Sequence, residues 1–432
     1  MPALRSVAGA AVAVMTLSSF LTGAGFLPQL AALPGACAWL AGIILVFGLN
    51  RFQITQALIM CAIGLAGISV AINAGDFSWW ATLEKGNHPM LAMLASVSFL
   101  RLITEPSVAR SAALPRGPRA VMQTLLATHL FGAVINISAP VVIGERIAQN
   151  ERLSRLQSQA ISRAFVAASM WSPFFIAMAI ILQLLPNAQF AVISAAGFIA
   201  SGCFMAWNFW HLPRDPEARE FIGYPLRVQA LWAPVLLSTC VLGGHWLLPQ
   251  ISVLTLIDGA ALGVVLATLP LVRGRAAPQV FITHLRERLP GMGSEIAMFL
   301  GAAVMSAGIE AAVRHGDIAL SPAHLDASGA AVLLAGLIVL GIVGVHPVAA
   351  ISALSSIWQF NDLDGNLLGI VFLLVWGLSL VASPFSGTSL VFQTRFGLRS
   401  MDLLRWNGGY VAMGYCVGVG VLFGYQWWAS AG

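Results

Sequence analysis

The sequence predicts an all-α polytopic membrane protein, and composition and charge distribution support that prediction. Hydrophobic residues make up 58% of the 432 residues and charged residues only 9%, whereas soluble domains contain about 25% charged residues. No charged residue occurs from Ser6 to Leu49, a length that holds two spans of about 20 residues each. The net charge of +5 does not indicate a nucleic-acid partner, because only Lys85 is lysine and the arginines fall in short loops, where they set topology. The lipid bilayer is therefore the expected environment.

Apolar runs predict about 11 transmembrane helices. They lie at 7–27, 31–49, 53–73, 89–105, 160–186, 189–210, 228–247, 251–272, 291–313, 366–394 and 407–428. Two further runs, 120–144 and 329–358, are long enough to cross once, but each has a polar or proline-containing middle. These middles read "INISAP" (135–140) and "GVHP" (344–347), so each run is either a kinked spanning helix or a re-entrant hairpin.

The distribution of arginine favours two hairpins. If 120–144 crossed the bilayer, the basic groups at 101–119 and 146–163 would lie on opposite sides and the cytoplasmic bias of basic residues would be lost. With both runs as hairpins and a cytoplasmic N-terminus, every basic residue except Lys85 and Arg314 lies on the cytoplasmic side. Hairpin arms of about 11 residues reach roughly 16 Å, near the middle of a ~30 Å hydrocarbon core. We expect a multi-pass protein of the bacterial inner membrane.

Two of the predicted spans contain a Ser-Pro-Phe interruption. "SMWSPFF" (169–175) falls in the span 160–186, and "ASPFSGTSL" (382–390) falls in the span 366–394. A proline removes a backbone donor and clashes with the preceding turn. Non-helical backbone at membrane depth is tolerated where it lines a cavity or is buried in protein.

The order of hairpin, broken helix and plain helix occurs twice, at 120–210 and at 329–428, and the second copy runs opposite to the first. This order predicts an inverted-topology repeat: an extra N-terminal span (1–30), a first repeat (31–210) and a second repeat (228–428). Interruptions at corresponding positions of inverted repeats mark the midplane substrate site of secondary transporters.

This plan of about 11 spans with two opposed hairpins, each followed by a discontinuous helix, resembles the ion transporter superfamily. That superfamily includes divalent anion–sodium symporters and the large membrane subunits of tripartite periplasmic transporters. The resemblance covers essentially the whole chain and is architectural. In the symporters, Ser-Asn-Thr signatures at the tips and broken helices bind sodium and substrate carboxylate. Asn136 and Ser138 keep an amide and a hydroxyl at the first tip, but the second tip lacks Ser, Asn and Thr, so a symmetric pair of sodium sites is not implied.

The predicted substrate site consists of the two tips and the two interruptions. A half-helix N-terminus inside the protein is an anion site, whereas half-helix C-termini and unwound carbonyls suit a cation. The second interruption is rich in hydroxyls and 174–182 is wholly apolar, so a carboxylate with an apolar body fits. The alternative is that the serines only cap their own kinks. The candidate substrate-binding residues are Asn136, Ser138, Ser172, Pro173, His346, Ser383, Pro384, Ser386, Gly387, Thr388 and Ser389.

Three residues are candidates for ion coupling: Asn136, His346 and Asp258. His346 is an ionisable group at membrane depth that titrates near neutral pH, and its alternative role is that of a neutral histidine bonded to a carbonyl. Asp258 either relays protons, borders water or pairs. His129, on the first arm of hairpin one, is expected to pack there. Sodium is the candidate coupling ion, and no other cofactor and no metal site is expected.

We expect a secondary transporter that moves a small organic anion by alternating access, coupled to H⁺ or Na⁺. The hairpins and broken helices would move against a scaffold of the first spans and 228–313, which is also the candidate homodimer interface. No zinc, nucleophile-elbow or phosphate-loop motif indicates an enzyme. The competing hypotheses are the large subunit of a multicomponent permease with a small partner subunit, an enzyme acting on lipid through His346 with Ser383 or Ser386, and a non-catalytic assembly subunit.

Overall fold

The computed structural model describes residues 2–104, 113–136, 138–226, 232–316, 322, 324–358, 360, 363–384 and 386–431. Within these residues the protein consists of α-helices with short 3-10 and π segments, and it contains no β-strand. The helices are α1 (Pro2–Gly23), α2 (Leu33–Leu45), α3 (Arg51–Asn73), α4 (Trp79–Lys85), α5 (His88–Phe99), α6 (Arg101–Thr104), α7 (Pro118–Ile135), α8 (Ser138–Ile147), α9 (Arg155–Ser169), α10 (Ile176–Leu184), α11 (Phe190–His211), α12 (Trp232–Leu247), α13 (Val253–Arg273), α14 (Ala277–Thr283), α15 (Gly293–His315), α16 (Ala327–Ile342), α17 (Pro347–Ile357), α18 (Gly365–Ala382), α19 (Gly387–Phe396) and α20 (Ser400–Ala431).

Seven helical segments of the described chain are long and apolar enough to cross a membrane. They are Ala3–Gly23, Pro28–Gly48, Arg51–Asn73, Phe190–Arg214, Val253–His315, Gly365–Phe396 and Met401–Ala431. Large apolar side chains lie on the outside of the protein; Leu271 is 84% exposed and Phe47 is 83% exposed. Such side chains are stable in contact with lipid, so the chain is a multi-pass membrane protein.

The predicted count of about 11 spans is not confirmed. Helix α5 has 12 residues and α10 has 9, lengths of about 18 Å and 14 Å. Neither helix alone crosses a hydrocarbon core of about 30 Å.

The chain divides into two compact units. Unit 1 comprises Met1–Pro106, Val235–Pro322 and Ile351–Gln359, and unit 2 comprises Ser107–Pro234, Ala323–Ala350 and Phe360–Gly432. Helix α17 begins in unit 2 and continues into unit 1. Unit 2 contains residues of both predicted repeats, so the two compact units do not correspond to the two repeats. The division of the chain into repeats stays a prediction.

Unit 1 is built around a close pair of helices, α3 and α15. A Cβ atom added at Gly67 would lie 2.0 Å from the carbonyl oxygen of Gly308, so the backbones approach to a distance that only glycine permits. Beyond the end of α3, the Asp76 carboxylate lies 2.9 Å from His315 Nε2, and the Ser78 backbone N–H and then His315 lower the pKa of Asp76. The loop after α3 is thereby fixed to the end of α15.

Unit 2 contains both predicted interruptions. The span 160–186 is divided into α9 and α10, and the span 366–394 is divided into α18 and α19. Each of the two ambiguous runs forms two helices joined by a turn, α7 with α8 and α16 with α17, instead of one continuous helix. Helix α7 packs along α9, and α16 packs along α18. Re-entry of these hairpins into a bilayer stays a prediction.

Helix α9 starts five residues before the predicted boundary because of a capping box. The Ser154 hydroxyl accepts a hydrogen bond from the Gln157 N–H, and the Gln157 side chain accepts one from the Ser154 N–H. Arg155, in the first turn, bonds Asp215 Oδ2 at 2.7 Å. Arg163, grouped above with the basic loop residues 146–163, is instead inside a helix and only 3% exposed.

Candidate functional site

The first interruption follows from Pro173. A proline has no N–H for the helical hydrogen bond, and its ring clashes with the carbonyl four residues earlier, that of Ser169. Helix α9 ends at Ser169, and α10 begins at Ile176. The residues between them, 170–175, are called break 1.

Break 1 is attached to the end of α7 by Ser172. The Ser172 hydroxyl donates to the Ala133 carbonyl of α7 and accepts from the Phe174 N–H at 3.2 Å. Ser172 is fully buried. Both hydrogen-bonding functions of this hydroxyl are used within the protein, so Ser172 positions the break; the role in substrate binding predicted for it is not tested by this geometry.

His129 of α7 makes a second connection to break 1. Its Nε2 accepts a hydrogen bond from Trp171 Nε1 at 3.2 Å, and Nδ1 lies 3.4 Å from the Ala164 carbonyl. Accepting at Nε2 requires the neutral tautomer with the proton on Nδ1, which then points at that carbonyl. His129 is buried on α7, the first arm of the hairpin, as predicted, and its hydrogen-bond partners lie on α9 and break 1.

The turn between α7 and α8 is made by Asn136, whose φ is 53° and ψ is −138°. A residue other than glycine is strained in this left-handed region by about 1–3 kcal/mol. Asn136 is half-buried. Ser138 begins α8, and its side chain, like residue Ile137, lies outside the described part of the structure.

The second interruption lies between α18 and α19, and its described residues, Ser383, Pro384 and Ser386, are called break 2. Helix α18 ends at Ala382 because Pro384 displaces the carbonyl of Leu380, four residues earlier. The Ser386 hydroxyl donates to that carbonyl at 2.8 Å. Ser389, in the first turn of α19, donates to the Ser383 carbonyl at 2.9 Å. Two carbonyls at the interruption, those of Leu380 and Ser383, are therefore bonded by serines of the same segment.

Ser386 is also the N-cap of α19, because its hydroxyl accepts from the Ser389 N–H at 3.1 Å. The hydrogen bonds of Ser386 and Ser389 agree with the alternative stated above, in which serines cap their own kink, and the role in substrate binding predicted for them stays a prediction. Thr388 differs: its hydroxyl is buried and has no hydrogen-bond partner among the described residues. Gly387 and Thr388 also carry the first N–H groups of α19, which have no partner within a helix.

The two interrupted helices meet at Gly377 of α18. A Cβ atom there would lie 2.6 Å from Met170 Cε and 3.4 Å from Ser169 Oγ, at the end of α9. Break 1 begins at this contact, and α18 ends five residues later, about 8 Å along its axis. The tertiary structure thus brings the end of α9 close to the end of α18, although the two Ser-Pro-Phe sequences are far apart in the chain.

His346 lies in the turn before α17. Its Nδ1 accepts a hydrogen bond from the Val348 N–H at 3.1 Å, so the proton of the neutral ring is on Nε2. The ring meets Trp376 of α18 edge-on, with the centroids 5.7 Å apart. His346 therefore caps α17 through one nitrogen, and its Nε2 has no partner among the described residues. The bond to a carbonyl that was the alternative role is not present there.

Asp258 lies on α13 in unit 1, whereas His346 and Asn136 lie in unit 2. Its carboxyl group is 2% exposed, and Oδ1 has no hydrogen-bond partner in the described part of the chain. The Ser96 hydroxyl is adjacent and donates to the Met93 carbonyl at 2.8 Å. A carboxyl group buried without a cation is stable when it holds its proton.

The buried polar residues that sequence reasoning missed lie on α9, α18 and α20. Arg163 binds Asn407 of α20, and Ser379 of α18 is buried with a hydroxyl that has no partner among the described residues. The capping box at Ser154 is a local signal that Arg163 lies well inside a helix. No local signal pairs it with Asn407.

No group of three or more His, Cys, Asp or Glu side chains within the described residues is arranged to hold a metal ion.

No family model matches this chain, and no curated protein matches it.

Proposed function

We propose that the protein is a secondary active transporter of a small organic anion of the carboxylate type, working by alternating access and coupled to H⁺ or Na⁺. The observation that carries the proposal is the contact of the two interrupted helices at Gly377 within one compact unit. Interrupted helices are expensive in a bilayer and recur where transporters hold substrate and ions. The resemblance to the ion transporter superfamily is part of this proposal.

The start of α19 is the proposed carboxylate site. Its first N–H groups carry the positive end of the helix dipole, and the buried Thr388 hydroxyl supplies a donor that no described residue uses. Ser386, Ser389 and Ser172 act as positioning residues, because their hydroxyls hold the breaks in shape. The apolar residues of α10 suit the apolar body of the substrate.

Coupling is proposed at His346 and Asp258. His346 donates through Nε2 when neutral, and protonation of its other nitrogen would remove the cap of α17. Asp258 exchanges a proton in unit 1. Asn136 remains the proposed sodium ligand, at the turn of the first hairpin. A bacterial inner-membrane location with a cytoplasmic N-terminus, and a homodimer or small partner subunit, belong to the same proposal.

Uptake of radiolabelled carboxylates into proteoliposomes tests the proposal with Thr388→Val. Valine replaces an unpartnered hydroxyl with a methyl group of the same shape, so stability should not fall. Loss of a hydrogen bond to a charged substrate should lower transport about ten- to hundredfold. Thr394→Val on the same helix is the matched control, because Thr394 is exposed and bonds only Leu390 and Val391 of its own helix. Equal uptake by wild type and Thr388→Val would remove the site.

The competing functions give different outcomes. Chemical change of a lipid during the assay would indicate the membrane-embedded enzyme. Transport that requires a co-purifying small membrane subunit would indicate the multicomponent permease.

A further inference from the structure

Arg163 is a buried cation inside unit 2. It lies on α9, eight residues after Arg155, which is about 12 Å along the helix. Its side chain is bonded to neutral groups: Nε donates to Asn407 Oδ1 at 2.8 Å, and Nη2 donates to the Trp406 carbonyl at 2.8 Å. The guanidinium carbon also lies 4.9 Å from the centre of the Tyr410 ring. Among the described residues, no carboxylate pairs with Arg163.

This charge differs from that of Asp258 in one physical respect. A buried carboxyl group becomes neutral by taking up a proton, whereas a guanidinium group keeps its charge at any physiological pH. Taking an ion out of water costs several kcal/mol unless an opposite charge is nearby. Two neutral acceptors and an aromatic face offset part of that cost and leave the net charge uncompensated.

Two polar groups near the Arg163 guanidinium have no hydrogen-bond partner among the described residues. Nη1 of Arg163 has no partner among the described residues. Asn208 of α11 is fully buried, and neither atom of its amide has a hydrogen-bond partner in the described part of the chain. The Asn208 amide lies near the Tyr410 hydroxyl, which in turn is 3.3 Å from the Arg163 carbonyl. An unsatisfied buried amide destabilises the folded state, so its presence here calls for an explanation.

We propose that Arg163 and Asn208 form a binding site for an oxyanion, a carboxylate or a phosphate, between α9, α11 and α20. The guanidinium supplies the charge through Nη1, and the Asn208 amide supplies a second donor. Asn407 and Tyr410 hold the guanidinium in place. The site is distinct from the start of α19 and follows from the electrostatics of unit 2, so it does not depend on transport. The anion is either a free solute or the phosphate of a lipid headgroup, since both offer the same chemistry.

Thermal unfolding of the purified full-length protein in detergent tests the site. Sodium acetate and sodium phosphate should each be compared with sodium chloride at equal ionic strength, and phosphatidylglycerol should be added in a separate series. We expect a higher unfolding temperature with an oxyanion than with chloride, because a ligand that binds only the folded state stabilises it. A rise with acetate or phosphate indicates a solute site, and a rise with phosphatidylglycerol alone indicates a lipid phosphate.

Asn208→Leu is the decisive variant, because it removes the unsatisfied amide at similar volume. Its unfolding temperature in chloride should equal or exceed that of wild type, while its apparent affinity for the anion should be about ten- to hundredfold weaker. Arg163→Lys should also weaken the response. Cys203→Ala, at an exposed position of α11, should keep the wild-type response. No oxyanion effect beyond chloride, or a full response in Asn208→Leu, would overturn the site while leaving the transport proposal standing.

Discussion

Both interruptions have the sequence Ser-Pro-Phe, but their side chains form hydrogen bonds with different parts of the protein. At break 1 two side-chain hydrogen bonds leave the segment: Ser172 donates to the Ala133 carbonyl of α7, and Trp171 donates to His129, also of α7. At break 2 they stay nearby, because Ser386 bonds the Leu380 carbonyl that Pro384 displaces and Ser389 bonds the Ser383 carbonyl. The first interruption is therefore fixed by its hairpin, and the second, in the hydrogen bonds given above, is self-contained. At the start of α19 the Thr388 hydroxyl has no hydrogen-bond partner among the described residues, whereas the Ser172 hydroxyl of break 1 is bonded.

The largest effect on stability is expected from a substitution in α11, because this helix packs closely against break 1. A Cβ atom at Gly197 would lie 1.8 Å from the Met170 carbonyl oxygen, a backbone atom that has little room to move. Gly197→Ala should lower the free energy of unfolding by about 3 kcal/mol or prevent folding, since overpacking costs about 1–3 kcal/mol and at times more. Urea or thermal unfolding in detergent measures this loss.

Gly202→Ala on the same helix is the control for Gly197→Ala. No heavy atom lies within 4 Å of a Cβ at Gly202, so alanine should be neutral or slightly stabilising. Equal stability of the two alanine variants would contradict the tight fixation of break 1 and with it the comparison.

A smaller effect is expected at break 2 from Ser386→Ala. The change removes the N-cap of α19 and leaves the Leu380 carbonyl unbonded, at a cost of about 1–3 kcal/mol. Ser386→Thr keeps the hydroxyl and should recover most of the stability. Amide hydrogen exchange should increase in the first turn of α19 and stay unchanged in α7. Faster exchange in α7 would show that break 2 is not self-contained.

The smallest effect is expected from Trp171→Phe at break 1. It removes one hydrogen bond to His129 and should cost about 1 kcal/mol. A double-mutant cycle with His129→Gln should give a coupling energy of about 0.5–3 kcal/mol, as for residues in contact. A coupling energy of zero would mean that Trp171 does not attach break 1 to its hairpin.

Local chemistry made much of the fold predictable. The proline positions located both interruptions to within a few residues, and the polar middles at Asn136 and His346 located the two helix–turn–helix hairpins. Helix α9 starts at Arg155 and not at residue 160, because the Ser154 capping box stabilises its first turn. The predicted span count stays a prediction, because apolar composition does not fix helix length: α5 and α10 end after 12 and 9 residues.

The candidate site was predictable in composition but not in the use of each residue. Sequence reasoning named Ser172, Ser386 and Thr388 together as substrate residues. Only the packing shows that the Ser172 and Ser386 hydroxyls bond backbone carbonyls, whereas the Thr388 hydroxyl has no hydrogen-bond partner among the described residues.

The sequence by itself determined three properties of this chain. It determined that the chain lies in a membrane, at which positions its helices are interrupted, and which residue types lie at those interruptions. These properties depend on composition and on neighbours within about one helical turn, which the order of residues specifies directly. The tertiary structure decided that the ends of α9 and α18 meet at Gly377, and that Arg163 binds Asn407, 244 residues away. Contacts of that kind depend on how whole helices pack, and no local pattern records which partner a buried polar group will find.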